Sequence, residues 1–548
     1  MDTLDYVVIF IFTILILIAG ISFSKRGSSM KSYFAAGGAV PWPINGLSLY
    51  MSFFSAGTFV VWGSIAYQFG WVAITIQLCM CIAGFVVAYV IAPKWRKTNV
   101  LTAAEFVRRR LGAKTQKLYT YLILILSLAY TGAFLYPVAK IVNVSAGWPI
   151  DLCIIGIGFL ILLYTVTGGL WAVIVTDVLQ FVILTAVVII VVILSFRSVG
   201  GIDAFLSNTS DTFWNWTGGE YNWWFMLAFS IYNIIFIGGN WAYVQRYTSV
   251  KNEGDAKKVG LTFGWLYLIS PLIWMLPPMI YKVINPDLAG LEMEEAYMLI
   301  CKKVLPIGML GLMLGGMVFA TASSVNTTLN LAASIITNDI FKVFKPNAGL
   351  KQTMLVARLS TLLFGLGTIA VALLVPSMGG IVNVVLSIGA VTGCSLYGPP
   401  IWALFSKKIS GNAILIITVL SLVINISFKF LNPLERAGEM LLGTLLPFVL
   451  LASYEAYLNF RNIKPSDEYI NYKKGLSIIS EAEDDEDDED EQNTFGLKVL
   501  SNTLIAVGFL IVALGFISMT NLLLIASVGS IIILIAIWIH PNIKMKLR

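Results

Sequence analysis

Charge is scarce in this 548-residue chain: Asp, Glu, Lys and Arg together supply 12% of it, about half the share found in a soluble domain. With 58% of residues hydrophobic and a mean hydropathy of +0.84, too little polar material remains to cover a water-facing globule. A soluble enzyme, a nucleic-acid-binding protein and a disordered chain are excluded on that ground. Histidine is nearly missing, and the single one, His540, stands at the end of the last apolar stretch. His-based metal or acid–base chemistry is therefore not expected. The five cysteines (79, 81, 153, 301 and 394) are odd in number and fall in or beside apolar stretches. They read as small hydrophobes rather than as a disulfide framework or metal site. A nucleophile–base pair is missing too, so the chain is read as no enzyme.

What is present is apolar length. About fifteen stretches, from 5–24 to 521–540, approach the roughly 20 residues needed to cross about 30 Å of hydrocarbon. In lipid each backbone polar group must be satisfied within its own segment. The expectation is an all-α, polytopic membrane protein with about 15 transmembrane helices in a plasma (inner) membrane, its partner the lipid bilayer and no nucleic acid. Asp2 and Asp5 precede the first stretch and Lys25 and Arg26 follow it, the reverse of a signal peptide. It is read as a retained helix with its N-terminus outside.

The net charge of +6 sums unlike regions. Ten of the eleven residues 481–491 are acidic, and the rest of the chain carries 36 bases against 20 acids. With the N-terminus outside, 28 of the 36 bases fall in inward loops, as short cytoplasmic loops require. An odd helix count then puts the C-terminus in the cytoplasm. The acidic run reads as a solvated, self-repelling linker, with a regulatory or partner-binding role as its alternative. The loops 197–222 and 283–303 read as short outer lids.

Pro41-Trp42-Pro43 opens the second helix, Gly238-Gly239 sits inside the seventh, and Pro271 and Pro399-Pro400 interrupt the eighth and eleventh. Broken helices at corresponding places in two halves free backbone groups for ions and solutes. Helices 2 and 7 are such a pair, each opening a five-helix repeat. The chain then divides into an extra helix and loop (1–42) and a repeat core (43–405, halves 43–196 and 223–405). Two peripheral helices (406–457), an acidic linker (458–498) and two C-terminal helices (499–548) follow.

Four clusters carry polar chemistry. In Ala320-Thr321-Ala322-Ser323-Ser324-Val325-Asn326-Thr327-Thr328 eight of nine side chains are small or bear a hydroxyl or amide, which suits either close helix packing or ion ligation. Asp177, followed by Gln180, is an acid inside helix 6, and such acids mark ion paths or snorkel to the interface. Ser48 to Thr58 in helix 2, with Gln77 in helix 3, form the third cluster. Asn240-Trp241-Ala242-Tyr243-Val244-Gln245-Arg246 in helix 7 is the fourth.

Together these resemble the sodium:solute symporter family over roughly residues 5–457. The resemblance rests on Gly168-Gly169-x-x-Ala172-Val173-x-x-Thr176-Asp177-x-x-Gln180, on Asn240 to Gln245-Arg246, and on the helix 9 pattern running to Thr337-Asn338-Asp339-Ile340-Phe341-Lys342. It implies a five-plus-five inverted-repeat (LeuT-like) core. It also implies a sodium site made by the Met51, Phe54 and Ala320 carbonyls and the Ser323 and Ser324 hydroxyls. Some members bind a second sodium, at positions that here are Asp177, Asn326 and Thr327. The resemblance places polar solute contacts at Thr58, Gln77 and Asn240; Ser55, Lys140, Trp241 (which reads equally as a packing aromatic) and Tyr267 complete the candidate solute set. Lys140 falls near a position where members that bind acidic or zwitterionic solutes carry arginine, and it reads equally as a lysine snorkelling to the interface. Tyr267 and Leu386 replace a lysine and a glutamine of one sugar-binding member, which counts against a galactose-like binding mode.

The expected function is import of a small polar organic solute, a sugar or a carboxylate-bearing molecule, with co-transported sodium, by a monomer. The rival is a symporter-like solute sensor signalling through the acidic inner loop.

Overall fold

The computed structural model of the chain describes residues 1–22, 40–100, 102–164, 170–341, 344–345, 349–479 and 486–541. Gly168-Gly169, which opens the helix 6 motif, and the first part of the acidic run lie outside these residues. Among the described residues there is no strand beyond one isolated bridge, Gly218 with Tyr221. The helices used below are α1 (Thr3–Ile21), α2 (Trp42–Phe53), α3 (Thr58–Phe69), α4 (Trp71–Lys97), α5 (Ala103–Leu111), α6 (Ala113–Ala146), α7 (Ile150–Tyr164) and α8 (Leu170–Ser198). They continue as α9 (Trp223–Gly239), α10 (Trp241–Thr248), α11 (Glu253–Trp274), α12 (Leu276–Ile284), α13 (Ala296–Val304), α14 (Met309–Ile335) and α15 (Leu350–Leu374). The last six are α16 (Ile381–Phe405), α17 (Gly411–Leu431), α18 (Arg436–Phe460), α19 (Asp467–Ile479), α20 (Glu486–Ser518) and α21 (Leu522–Ile539).

Eleven helices among the described residues are long and apolar enough to cross a membrane, or 13 if each bent pair is one span. That count does not by itself confirm the expected fifteen. The remaining two are α7 and α14, whose apolar stretches among the described residues are Ile150–Leu162 and Met309–Ala322. Pro271 and Pro399-Pro400 do not interrupt their helices, since α11 and α16 run through them. Membrane helices tolerate proline because neighbours re-satisfy the freed backbone groups.

The described part of the expected linker 458–498 includes α19. Within it α19 packs on α5, with Tyr472 edge-on to Phe106 and Tyr469 against the Arg110 guanidinium, 5.1 Å from the ring centroid. Arg110 is buried and donates to the Ser406 carbonyl at 2.7 Å, which ties α5 to the end of α16.

The two breaks have local causes. Between α2 and α3 the axis turns by 63°. There Ser55 Oγ accepts the Gly57 N–H at 3.1 Å and Thr58 Oγ1 accepts the Ser55 N–H at 3.3 Å. Short polar side chains thus offer the backbone a non-helical alternative. Between α9 and α10 the turn is 61°, and Asn240 caps the second half by accepting the Ala242 N–H at 3.0 Å. The break orphans carbonyls at the end of α9. Gly238 O accepts Trp95 Nε1–H at 2.7 Å and Ile237 O accepts the Tyr247 hydroxyl at 3.2 Å.

Both bent pairs pack against a surrounding set of straighter helices. The α2 half lies on α11 and α8, and α9 lies on α4, α16 and α18. The α4–α11 contact is close because glycines face across it: a Cβ on Gly84 would stand 2.8 Å from the Gly264 Cα. Helix α14 packs against α6, α8, α15 and α1.

The extra first helix has a defined task. Buried Asp5 on α1 accepts the Gly308 and Gly311 N–H groups at 2.9 and 3.0 Å, capping the start of α14. Hydrogen bonds to a charged group contribute about 1.5–3 kcal/mol each, and orphaned donors cost more than an absent pair. Asp5→Ala should therefore lower stability by about 2–3 kcal/mol, visible as a lower melting temperature in detergent. An unchanged melt would remove this role.

Candidate functional site

Three elements of different sequence origin meet at Asp177, on α8. Its Oδ2 accepts the Ser48 hydroxyl from α2 at 2.7 Å and lies 3.4 Å from Arg246 Nη2 of α10. Arg246 Nε donates to Ser48 Oγ at 3.3 Å and Nη1 to the Ala242 carbonyl at 2.9 Å. The two charged side chains are each 6% exposed. Asn45 reinforces the cluster by donating to the Arg246 carbonyl and to Ser249 Oγ. The predicted intramembrane acid is thus a buried ion pair that locks both broken helices to α8.

A cavity of about 140 Å³ opens beside this pair. Its walls come from α6 (Ser127, Tyr130, Phe134), α9 and α10 (Phe236, Asn240, Trp241, Tyr243), α14 (Ser324, Thr328) and α16 (Tyr397), with Ser52 of α2. Phe53, Phe236, Tyr243 and Tyr397 form one aromatic surface between the two breaks, with centroid separations of 4.3–5.8 Å. Of the sequence-predicted solute residues, Asn240 and Trp241 line the cavity. Asn240 Nδ2 also reaches the Tyr397 hydroxyl, at 3.4 Å. Ser55, Thr58, Gln77 and Tyr267 are buried but lie outside the cavity lining. Tyr267 packs on Tyr50 and Phe263, an apolar role. The Gln77 Nε2 donor is buried with no hydrogen-bond partner.

The sodium-site expectation falls on the first break. Met51, Phe54 and Ala320 are buried, and Met51 O accepts one hydrogen bond, from Phe54 N–H at 3.0 Å. A carbonyl has a second lone pair to offer. The side chains of Ser323, Asn326 and Thr327 lie outside the described residues. What the structure adds is Thr321, whose Oγ1 accepts the Ala56 N–H at 3.0 Å and donates to Met317 O at 3.1 Å. This bond ties α14 directly to the break in the second span. Sequence reasoning passed over Thr321 because it sits in a run of similar residues. The same holds for Tyr130 and Tyr397, which were not separable from packing aromatics. Arg246 stood in the fourth polar cluster, but its pairing with Asp177 had no signal in the sequence.

Lys140 answers a different acid. Its Nζ contacts Glu295 Oε1 at 2.6 Å, on the segment between α12 and α13. The neighbouring Glu294 is buried; its Oε2 accepts the Tyr136 hydroxyl at 3.1 Å and its Oε1 accepts the Ile381 N–H at 2.9 Å. Gly380, with φ +87°, leaves room for that carboxylate at the start of α16. The segment is thereby keyed into α6 and α16.

Burial pushes the Glu294 carboxyl above the ordinary glutamate value. An acid raised in the docked state stabilises that state fully below its ordinary value of about 4.3. The contribution is lost as pH rises through the elevated value. Hydrogen exchange in 285–304, corrected for intrinsic rates, should therefore quicken as pH climbs through that window. Glu294→Gln should flatten the dependence, and a pH-independent wild type would contradict the assignment.

Among the described residues, no three His, Cys, Asp or Glu side chains are grouped to hold a metal.

Residues 33–419 match the description of the sodium:solute symporter family. The chain is 26% identical over 488 residues to the sodium/sialic acid symporter of Aliivibrio fischeri, covering 85% of this chain and 95% of that one. It is 25% identical over 431 residues to the human sodium/myo-inositol cotransporter, covering 69% of this chain and 60% of that one. In fold it resembles a sodium-coupled sialic acid symporter solved in a substrate-bound outward-open state, with a TM-score of 0.70 at 23% identity. That likeness covers 85% of this chain and 99% of that one. A nucleobase-cation-symport-1 family transporter is similar at a TM-score of 0.52 and 14% identity, covering 81% and 98%.

Proposed function

The chain belongs to the sodium:solute symporter family, and from that premise we propose that it imports a small polar organic solute together with sodium by alternating access. The observation that carries the reading is the pair of bent spans, 63° and 61°, flanking a cavity that the hydroxyl-bearing α14 also lines. Opened helices near the middle of a bundle present carbonyls and helix ends to ions and solutes, and a hard monovalent cation takes oxygen ligands. The sodium position is assigned to the Met51, Phe54 and Ala320 carbonyls with the Ser323 and Ser324 hydroxyls. Two inverted repeats, 43–196 and 223–405, each opening on a bent span, provide the moving parts. The basic asymmetry of the loops supports an N-terminus outside and a C-terminus in the cytoplasm of a plasma-membrane protein.

The solute is of the kind the relatives' names describe: sialic acid, sugar or inositol. One charge crossing 100 mV releases about 2.3 kcal/mol, and a tenfold sodium gradient adds about 1.4. One ion then sustains a solute ratio of a few hundredfold, and two on the order of 10⁵.

The test is uptake into proteoliposomes. An inward sodium gradient should drive accumulation of at least one sugar, polyol or carboxylate above a potassium control. Ser323→Ala with Ser324→Ala should raise half-saturating sodium at least tenfold. Equal uptake in both buffers for every solute would refute sodium coupling, no uptake of any solute would favour the sensor, and unchanged sodium affinity would remove only the site.

A further inference from the structure

We infer that the cavity takes an uncharged, polyhydroxylated solute of about monosaccharide size rather than a carboxylate or a zwitterion. This rests on the sodium-symport reading and adds the chemistry of the passenger. Three observations carry it.

The first is charge balance. Among the described residues, Asp177 and Arg246 are the only charged groups in the lining, and they are already in contact with each other. All three guanidinium nitrogens of Arg246 have partners: Asp177, Ser48 and the Ala242 carbonyl. A solute carboxylate seeking Arg246 would be buried against the Asp177 carboxylate, and a solute ammonium would meet Arg246. Either leaves an unbalanced charge away from water. Lys140, the other candidate cation, is spent on Glu295 and lines a separate, outlying crevice.

The second is hydrogen-bond polarity. Ser52 donates its proton to Ser48 O, Ser127 to Leu124 O and Thr328 to Ser324 O, at 2.8, 2.8 and 3.1 Å. Their oxygens therefore face the cavity as acceptors, beside an acceptor carboxylate. Donors stand among these acceptors, on Asn240, Trp241, Tyr243 and Tyr397, so the lining suits a ligand whose polar atoms both donate and accept. A hydroxyl donates, whereas an ionised carboxylate only accepts.

The third is shape. Phe236, Trp241 and Tyr243 offer apolar faces to the C–H surface of a ring. The volume of about 140 Å³ is below the roughly 300–1,000 Å³ of drug-sized sites, so the passenger is a single small ring or short chain.

The experiment uses the full chain in proteoliposomes with labelled myo-inositol, D-glucose, N-acetylneuraminate, proline and choline, each in sodium and in potassium buffer. Sodium-driven uptake of a neutral probe should exceed that of every charged probe at least tenfold. A tenfold excess of N-acetylneuraminate should leave it unchanged. Ser127→Ala should raise half-saturating neutral solute severalfold with half-saturating sodium unmoved; a merely structural role would move both. Sodium-driven uptake of N-acetylneuraminate, proline or choline above the neutral probes overturns the inference and leaves sodium symport standing. Failure of both neutral probes to enter in either buffer also overturns it. Neutral uptake equal in the two buffers does the reverse: it supports the substrate class and refutes sodium coupling.

Discussion

Replacing Arg246 with Gln should cut sodium-driven uptake at least a hundredfold and lower thermal stability sharply. The substitution leaves Asp177, 6% exposed, as an uncompensated buried charge, and breaking a buried pair from one side costs about 3–5 kcal/mol. At about 1.4 kcal/mol per factor of ten, even the lower figure exceeds a hundredfold. Asp177→Asn should be costly too, since it strands the guanidinium. The double variant Asp177→Asn with Arg246→Gln should melt closer to wild type than either single one, because neutral replacements on both sides remove the penalty. A strictly additive cycle would show that the two residues act separately. The same variants address sodium count. With Asp177 committed to Arg246 and Ser48, the Hill coefficient for sodium should be near one. A wild-type value near two that falls to one in Asp177→Asn would instead make Asp177 a ligand of a second ion.

Thr321→Val should raise half-saturating sodium about tenfold or more. The loss orphans the buried Ala56 N–H at the break between α2 and α3, a penalty of about 1–3 kcal/mol. The cost falls on sodium because the carbonyls assigned to the ion, Met51 and Phe54, stand on that break. Their geometry is held by α14 only through this contact among the described hydrogen bonds. Thr321→Ser restores the acceptor and should restore affinity. Unchanged sodium affinity in Thr321→Val would mean that the local Ser55 and Thr58 bonds hold the break without help.

These two predictions rest on contacts that no reading of the chain could have paired. Arg246 is 69 residues from Asp177 and Thr321 is 265 from Ala56. Each residue was visible as a polar group in an apolar span, which is a local property. Its partner was not, because the partner depends on which helices pack together. Lys140 makes the same point from the other side. A lysine inside a helix announces a need for an anion, and the chain offers several. That the anion is Glu295, 155 residues on, and not a passing solute is a fact of folding.

The seventh span's break was legible for the opposite reason. Gly238-Gly239 marks it within a few residues, whereas Pro41-Trp42-Pro43 only starts α2 and the second span bends beyond Phe53, where Ser55 and Thr58 bond the backbone. Pro271 and Pro399-Pro400 looked equivalent and were not. Whether a proline breaks a membrane helix depends on neighbours that re-satisfy the freed carbonyl.

The sequence by itself determined a helical membrane protein, its broken second and seventh spans, and the polar groups available for chemistry. Hydropathy, charge asymmetry and local hydrogen bonding are properties of short stretches, so they survive in one dimension. Only the tertiary structure decided which charges cancel, which hydroxyls spend their protons on the backbone, and which aromatics line the cavity rather than the core. The scarce buried charge of this chain is thereby accounted for, Asp177 by Arg246 and Asp5 by backbone N–H groups. Desolvated ions persist only beside a partner, and packing alone selects that partner.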